Sequence, residues 1–193
     1  QPIVDTTPLK DETGTTAIYT HPKTPVSVKK GDIVIYTIRV YNEGELDGYV
    51  EEITDYLPEG LGYLVSHKLN TENRWLIPDD AEAIKLRDIP EATNNLDIQD
   101  FEEEFVSSLG DADVVVGKAE LKTDKLAYRE LETDNLIEAY DGGDNLSYKD
   151  VQIACVVVSD SLESEELKNI AEITKAKDKD GNDMNQEGDD RDS

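Results

Sequence analysis

The run from Lys30 to Leu61 constrains the fold most. Gly31-Asp32 marks a tight turn. Ile33 to Tyr41 follows, dense in β-branched and aromatic residues that suit a pleated, half-buried strand. Within it Val34, Tyr36, Ile38 and Val40 share one face, and Ile33, Ile35, Thr37, Arg39 and Tyr41 share the other. The first row is the better core face, because the second carries Arg39. Asn42-Glu43-Gly44 is a polar, glycine-bearing hairpin signal, so a second strand from Tyr49 to Thr54 is expected to run back against the first. Pro58-Glu59-Gly60 ends that strand.

The flanking chain continues the pattern. Residues 1–14 read as a loop or irregular edge, and Thr15 to Thr20 as a short strand. His21-Pro22-Lys23-Thr24-Pro25 is a turn, since each proline removes a donor and extends the residue before it. Leu61 to Val65 reads as a strand, and so does Thr71 to Ile77. The latter holds the only tryptophan, Trp75, expected in the core with its indole N–H bonded. Tyr148 to Val158 is a strand buried on both faces for much of its length, and Lys168 to Lys175 is the last clear strand.

Residues 78–147 break this rhythm. Ile98, Phe101, Phe105 and Leu109 mark one face of a helix over Asp97–Leu109, with Asp97 as N-cap. Val114 to Leu121 reads as a strand. Thr133 or Asp134 caps a short helix running through Tyr140 to the Gly142-Gly143 stop. The segment reads as an insertion decorating a sandwich, with no core of its own. About eight short strands, with helices confined to this insertion, predict a mostly β chain: an antiparallel β-sandwich with a partly helical insertion. The domain spans residues 1–176, and residues 177–193 form an acidic tail too poor in apolar side chains to fold alone.

Charge excludes whole classes of partner. Lys plus Arg is 19 against 45 Asp plus Glu, a net charge of −26, which repels nucleic acid and anionic membrane surfaces. The lone Cys155 permits no internal disulfide, and its apolar neighbours predict an inert buried thiol. No apolar run is long enough to span a bilayer. The start, Gln1-Pro2-Ile3-Val4, has no initiator Met and reads as an excised or processed domain. His21 and His67 sit without metal-site spacing and read as loop residues. Asp178, Asp180, Asn182 and Asp183 alternate around Gly181 like the front half of a calcium loop, without its terminal bidentate Glu. No nucleophile elbow or phosphate loop is present, and consecutive Glu102–Glu104 on a helix point in different directions, so no hydrolase site is expected.

Three segments together carry a resemblance: Gly31 to Gly44, Ile53-Thr54-Asp55-Tyr56-Leu57-Pro58-Glu59-Gly60-Leu61, and Asn169-Ile170-Ala171-Glu172-Ile173. In this order they resemble the Ig-like conserved-repeat domains of Gram-positive cell-wall adhesins and their pilin-like relatives. The likeness covers residues 24–65 and 148–193. It implies an Ig-like fold, export to the cell surface or cell wall, and a non-enzymatic stalk or adhesin role. Its partners would be neighbouring domains and a host or polysaccharide ligand. Apart from the resemblance, any ligand specificity is expected in residues 78–147, because loops on a rigid scaffold usually carry it, and calcium-dependent carbohydrate binding is the alternative reading. It also implies an intramolecular isopeptide bond between a lysine and an asparagine, assisted by a buried acid. By motif position Asn169 is the acceptor and Asp55 the assisting acid, with Glu51 in reserve. In relatives the lysine lies on the first strand; the donor here is left open between a strand upstream of these residues and Lys10, the weaker candidate within them.

Overall fold

The computed structural model describes residues 9–10, 17–18, 27–42, 44–89, 109–130, 133–141, 146–159, 167–184 and 191–192. Strands β1 (Leu9–Lys10) and β2 (Ala17–Ile18) pair as a separate two-stranded ribbon. The remaining elements are β3 (Ile33–Tyr41), β4 (Gly48–Leu57), β5 (Leu61–Leu64), α1 (Lys68–Glu72), β6 (Trp75–Leu76), β7 (Ala83–Lys85), β8 (Asp113–Val116), β9 (Ala119–Thr123), β10 (Tyr148–Val157), β11 (Ile170–Asp178) and β12 (Arg191–Asp192). They build two antiparallel sheets, ordered β3-β10-β5-β8-β7 and β12-β11-β4-β9-β6. The chain is a mostly β sandwich, as its patterning predicts. Its core gathers Val40, Ile53, Leu57, Leu61, Tyr63, Trp75, Leu121, Val151, Ile153, Cys155 and Val157 between the sheets. Val34, Tyr36 and Ile38 pack against that cluster, so the predicted row of β3 does face inward.

The expected β3–β4 hairpin does not form. β3 pairs with β10, and β4 pairs with β11 and β9 in the opposite sheet. The Asn42–Asp47 connection is therefore a corner between layers. Asn42 Nδ2 donates to the carbonyls of Leu46 and Ile137 at 2.8 and 3.0 Å, and its Oδ1 accepts from the Gly44 N–H. These bonds hold the chain in a wide turn that a two-residue hairpin would not need.

Residues 78–147 are more than decoration. The expected single strand over Val114–Leu121 is broken at Gly117 (φ 87°) into β8 and β9, which join different sheets. Val114 and Leu121 are completely buried. Leu86 and Ile89 cover the outer face of the first sheet and pack with Leu64, Val114 and Val156 into a satellite cluster. That cover explains why β10 is buried on both faces. The short helix expected through Tyr140 is only a 3-10 turn at Thr133–Asn135. Beyond it Ile137 exchanges both backbone hydrogen bonds with Gly48, at 2.9 and 3.1 Å, which demands extended geometry. The expected helix at Asp97–Leu109 lies outside the described residues through position 108; Leu109–Asp111 is a 3-10 turn. His21 and residues 160–166 also lie outside the described residues.

The expected strand at Thr71–Ile77 is mostly replaced by α1, with only Trp75–Leu76 extended. His67 does not sit in an open loop. It is buried, and its Nδ1 accepts from the Leu69 N–H as N-cap of α1. The helix then points Asn70 at β10, where Asn70 Nδ2 donates to Leu64 O and Ala154 O and Oδ1 accepts from Ala154 N. Asn73 Oδ1 accepts from Gln152 N, and the Trp75 indole donates to Gln152 O at 2.8 Å. β5 reaches only Cys155–Val157 of β10. These side chains thus take over the backbone groups of β10 where its neighbouring strand has ended. Finally, β11 runs to Asp178, past the expected end at Lys175, and the chain after Gly181 turns back so that Asp183 bridges Lys177.

Candidate functional site

β4 and β11 are long enough to place side chains deep in the sandwich, and their register decides which ones meet. Asp55 pairs with Ala171, and Ile53 with Ile173. Side chains alternate across a strand. Asn169 therefore shares the inward face with Ala171 and Ile173, beside Asp55. The Asn169 carboxamide Nδ2 lies 2.5 Å from Asp55 Oδ2 and donates to it. The sequence-predicted acceptor and acid are brought into direct contact.

Asp55 has no exposed surface. Its Oδ1 is buried without a hydrogen-bond partner. Burial disfavours the carboxylate and raises its pKa to about 7, only partly opposed by the Asn169 bond. Tyr36 of β3 and Cys155 of β10 face it across the core. Burial, reinforced by the neighbouring Cys155 and Asp55, pushes Tyr36 up to about 12, and burial also pushes the Cys155 thiol up. Both are neutral at physiological pH, as the inert-thiol reading of Cys155 requires. The result is a carboxyl that is half protonated near neutrality, in an apolar chamber, against a carboxamide. Such a group can donate a proton to a carbonyl and take one from an incoming amine.

Glu51 is not part of this arrangement. The β4–β11 register shifts around Glu51 and Thr174, so each strand carries one extra residue there. The bulge lets Val50 and Ile53 both face the core and turns Glu51 to the partly exposed flank. There its Oε1 accepts from the Tyr128 N–H at 3.1 Å, and Lys177 Nζ lies 3.8 Å from its Oε2. Lys10 falls in β1, in register with Ala17. The sequence reading treated Tyr36 only as core and missed it as a wall of the Asp55 chamber. The signal was present in its place on the inward row of β3.

The calcium-loop residues form a turn closed on itself. Asp178 Oδ1 accepts from the N–H groups of Asp180 and Asn182, and its Oδ2 accepts from Asn182 Nδ2, all within 2.9 Å. These bonds hold the Asp178 carboxyl below its ordinary pKa. Among the described residues no group of three or more His, Cys, Asp or Glu is arranged to hold a metal ion. Among them, too, no helix is long and apolar enough to cross a membrane. No family model, curated protein or solved structure matches this chain.

Proposed function

We propose that this chain is a structural module of a bacterial cell-surface protein, an Ig-like sandwich that bears load between neighbouring domains and is built to be locked by a Lys–Asn isopeptide bond. The observation that carries the reading is the buried Asp55 carboxyl against the Asn169 carboxamide, joining the two longest strands of one sheet. A covalent link at the start of β11 would turn strand shearing into bond stretching. The chemistry asks for a neutral amine, a polarised carbonyl and a proton relay. An apolar chamber lowers the pKa of a lysine and raises that of the acid, so it favours all three. A half-turn of the Asn169 side chain presents its carbonyl to the protonated Asp55, which then donates to it as the amine attacks Cγ.

Calcium-dependent carbohydrate binding is the less supported reading. Trp75 is 6% exposed and its indole N–H is committed to Gln152, so it offers no sugar-stacking platform. Intact-mass measurement on the folded protein, with the lysine-bearing strand present, tests the proposal. A mass lighter by one ammonia, restored to the full value by Asp55→Ala, is expected. A full mass in the unmutated protein, with no Lys–Asn169 linked peptide on digestion, refutes the bond.

A further inference from the structure

Three Asp-Gly pairs occur in the chain: Asp47-Gly48, Asp141-Gly142 and Asp180-Gly181. An aspartyl carboxyl before glycine is open to attack by the next backbone nitrogen, because no Cβ shields that nitrogen and glycine tolerates the bent backbone the attack requires. The fold treats Asp47-Gly48 and Asp180-Gly181 very differently; Gly142 lies outside the described residues. Asp47-Gly48 is clamped by a segment remote in sequence. Asp47 Oδ1 accepts from the Ala139 N–H at 2.8 Å, and the buried Gly48 exchanges both backbone hydrogen bonds with Ile137. Asp180-Gly181 instead sits at the tip of the turn after β11. Both residues are exposed, and the Asp180 side chain keeps 67% of its surface in solvent. Its carboxyl bonds the neighbouring Lys179 ammonium, itself exposed, and the Gly181 N–H donates to Asp178 O within the same turn. An exposed ion pair and a local turn bond resist opening weakly.

We propose that Asp180-Gly181 is a self-modification site, at which the folded chain converts Asp180 to isoaspartate and so releases the turn that closes β11. The first step forms a bond between the Gly181 nitrogen and Cγ of the protonated Asp180 carboxyl. The Cγ–OH bond breaks, and the hydroxyl leaves as water with the proton of the nitrogen. Water then adds to the resulting five-membered imide. Where it splits the bond from the nitrogen to the former backbone carbonyl carbon, the chain runs on through Cγ and that carbonyl becomes the free carboxylate. Nothing is oxidised or reduced, and the product has the mass of the starting chain. The main chain gains one methylene between Asp180 and Gly181. The turn cannot absorb it, because it is closed on both sides of that link. Asp178 N donates to Asn182 O, Gly181 holds φ 86°, and Asp178 Oδ1 gathers the N–H groups of Asp180 and Asn182. Opening it detaches the returning chain, where Asp183 bridges Lys177 and the Met184 N–H donates to Ala176 O. This inference is independent of the Asp55–Asn169 reading.

The test keeps the folded chain for weeks in warm, mildly acidic buffer, beside the same chain in urea. Peptide mapping scores isoaspartate at each Asp-Gly pair, since the isomeric peptides share a mass but separate by chromatography. In the folded chain isoaspartate should accumulate at Asp180 about tenfold or more faster than at Asp47, because Asp47 reacts only after the Ile137 and Ala139 contacts open. In urea the two rates should converge. Asp180→Glu, whose imide would need a six-membered ring, should stay unmodified at that position. Hydrogen exchange reads the consequence: the Asn182 and Met184 amides should exchange faster in the modified chain, with those of β4 unchanged. Equal rates at Asp47 and Asp180 in the folded chain would overturn the proposal. So would an Asp180 that reacts in urea and stays intact in the folded chain. A modified chain whose Met184 amide is as protected as before would overturn the release of the turn.

Discussion

The buried carboxyl of Asp55 makes the uncrosslinked fold less stable as pH rises, opposite to the usual behaviour of a salt-bridged acid. Its folded pKa is about 7 against an ordinary value of 3.8. Between these values the native state holds a proton that the unfolded chain has lost, so stability falls with increasing pH through that window. The gap corresponds to about 4 kcal/mol at 1.36 kcal/mol per pKa unit, with nothing discounted for solvent because the side chain has no exposed surface. Tyr36 and Cys155, which face it, stay neutral throughout the window. His67 works the other way. Burial lowers its pKa, so its contribution is lost as pH falls below about 6.5. The clean quantity is therefore the difference between the parent and Asp55→Asn, which keeps the shape and removes the titration. Urea unfolding followed by Trp75 fluorescence from pH 4 to 8.5 measures it. The variant should gain on the parent by about 4 kcal/mol across the range, most of it between about pH 4 and 7. Parallel stability curves for the two proteins would show that Asp55 titrates normally and that the chamber is wet.

Three further outcomes follow from the packing. Asn70→Ala strands the backbone N–H and C=O of Ala154 in the core and should cost about 3 kcal/mol or more in urea unfolding, whereas an exposed substitution such as Leu76→Ala should cost little. Gly62→Ala would place a Cβ 2.4 Å from Val114 Cγ1 between β5 and β8. We expect a loss of about 1–3 kcal/mol, partly recovered in the double variant with Val114→Ala; equal losses in single and double variants would refute the steric account. Calcium at millimolar concentration should leave the melting temperature unchanged, because the Asp178 carboxylate is already satisfied by its own turn. A rise of several degrees would reinstate the ion.

Alternation along single strands was legible in the chain itself. The inward row of β3, the double burial of β10 and the buried indole all follow from local period and composition, because a half-buried ribbon must separate apolar from polar side chains. The Asp55–Asn169 encounter was legible too, but through motif likeness, since no local rule brings residues on β4 and before β11 together. Partner choice was decided only in three dimensions. The break after Asn42 reads equally well as a hairpin or a corner, and Ile137 together with the pairing of β3 to β10 selected the corner. Thr71–Ile77 has strand-like composition, yet unpaired backbone on β10 drew Asn70 and Asn73 into its place and made a helical turn the better use of the segment. The pKa of Asp55 belongs to the same class. A carboxyl in a sequence is ordinary until two sheets close over it and leave one of its oxygens buried with no protein group to bond.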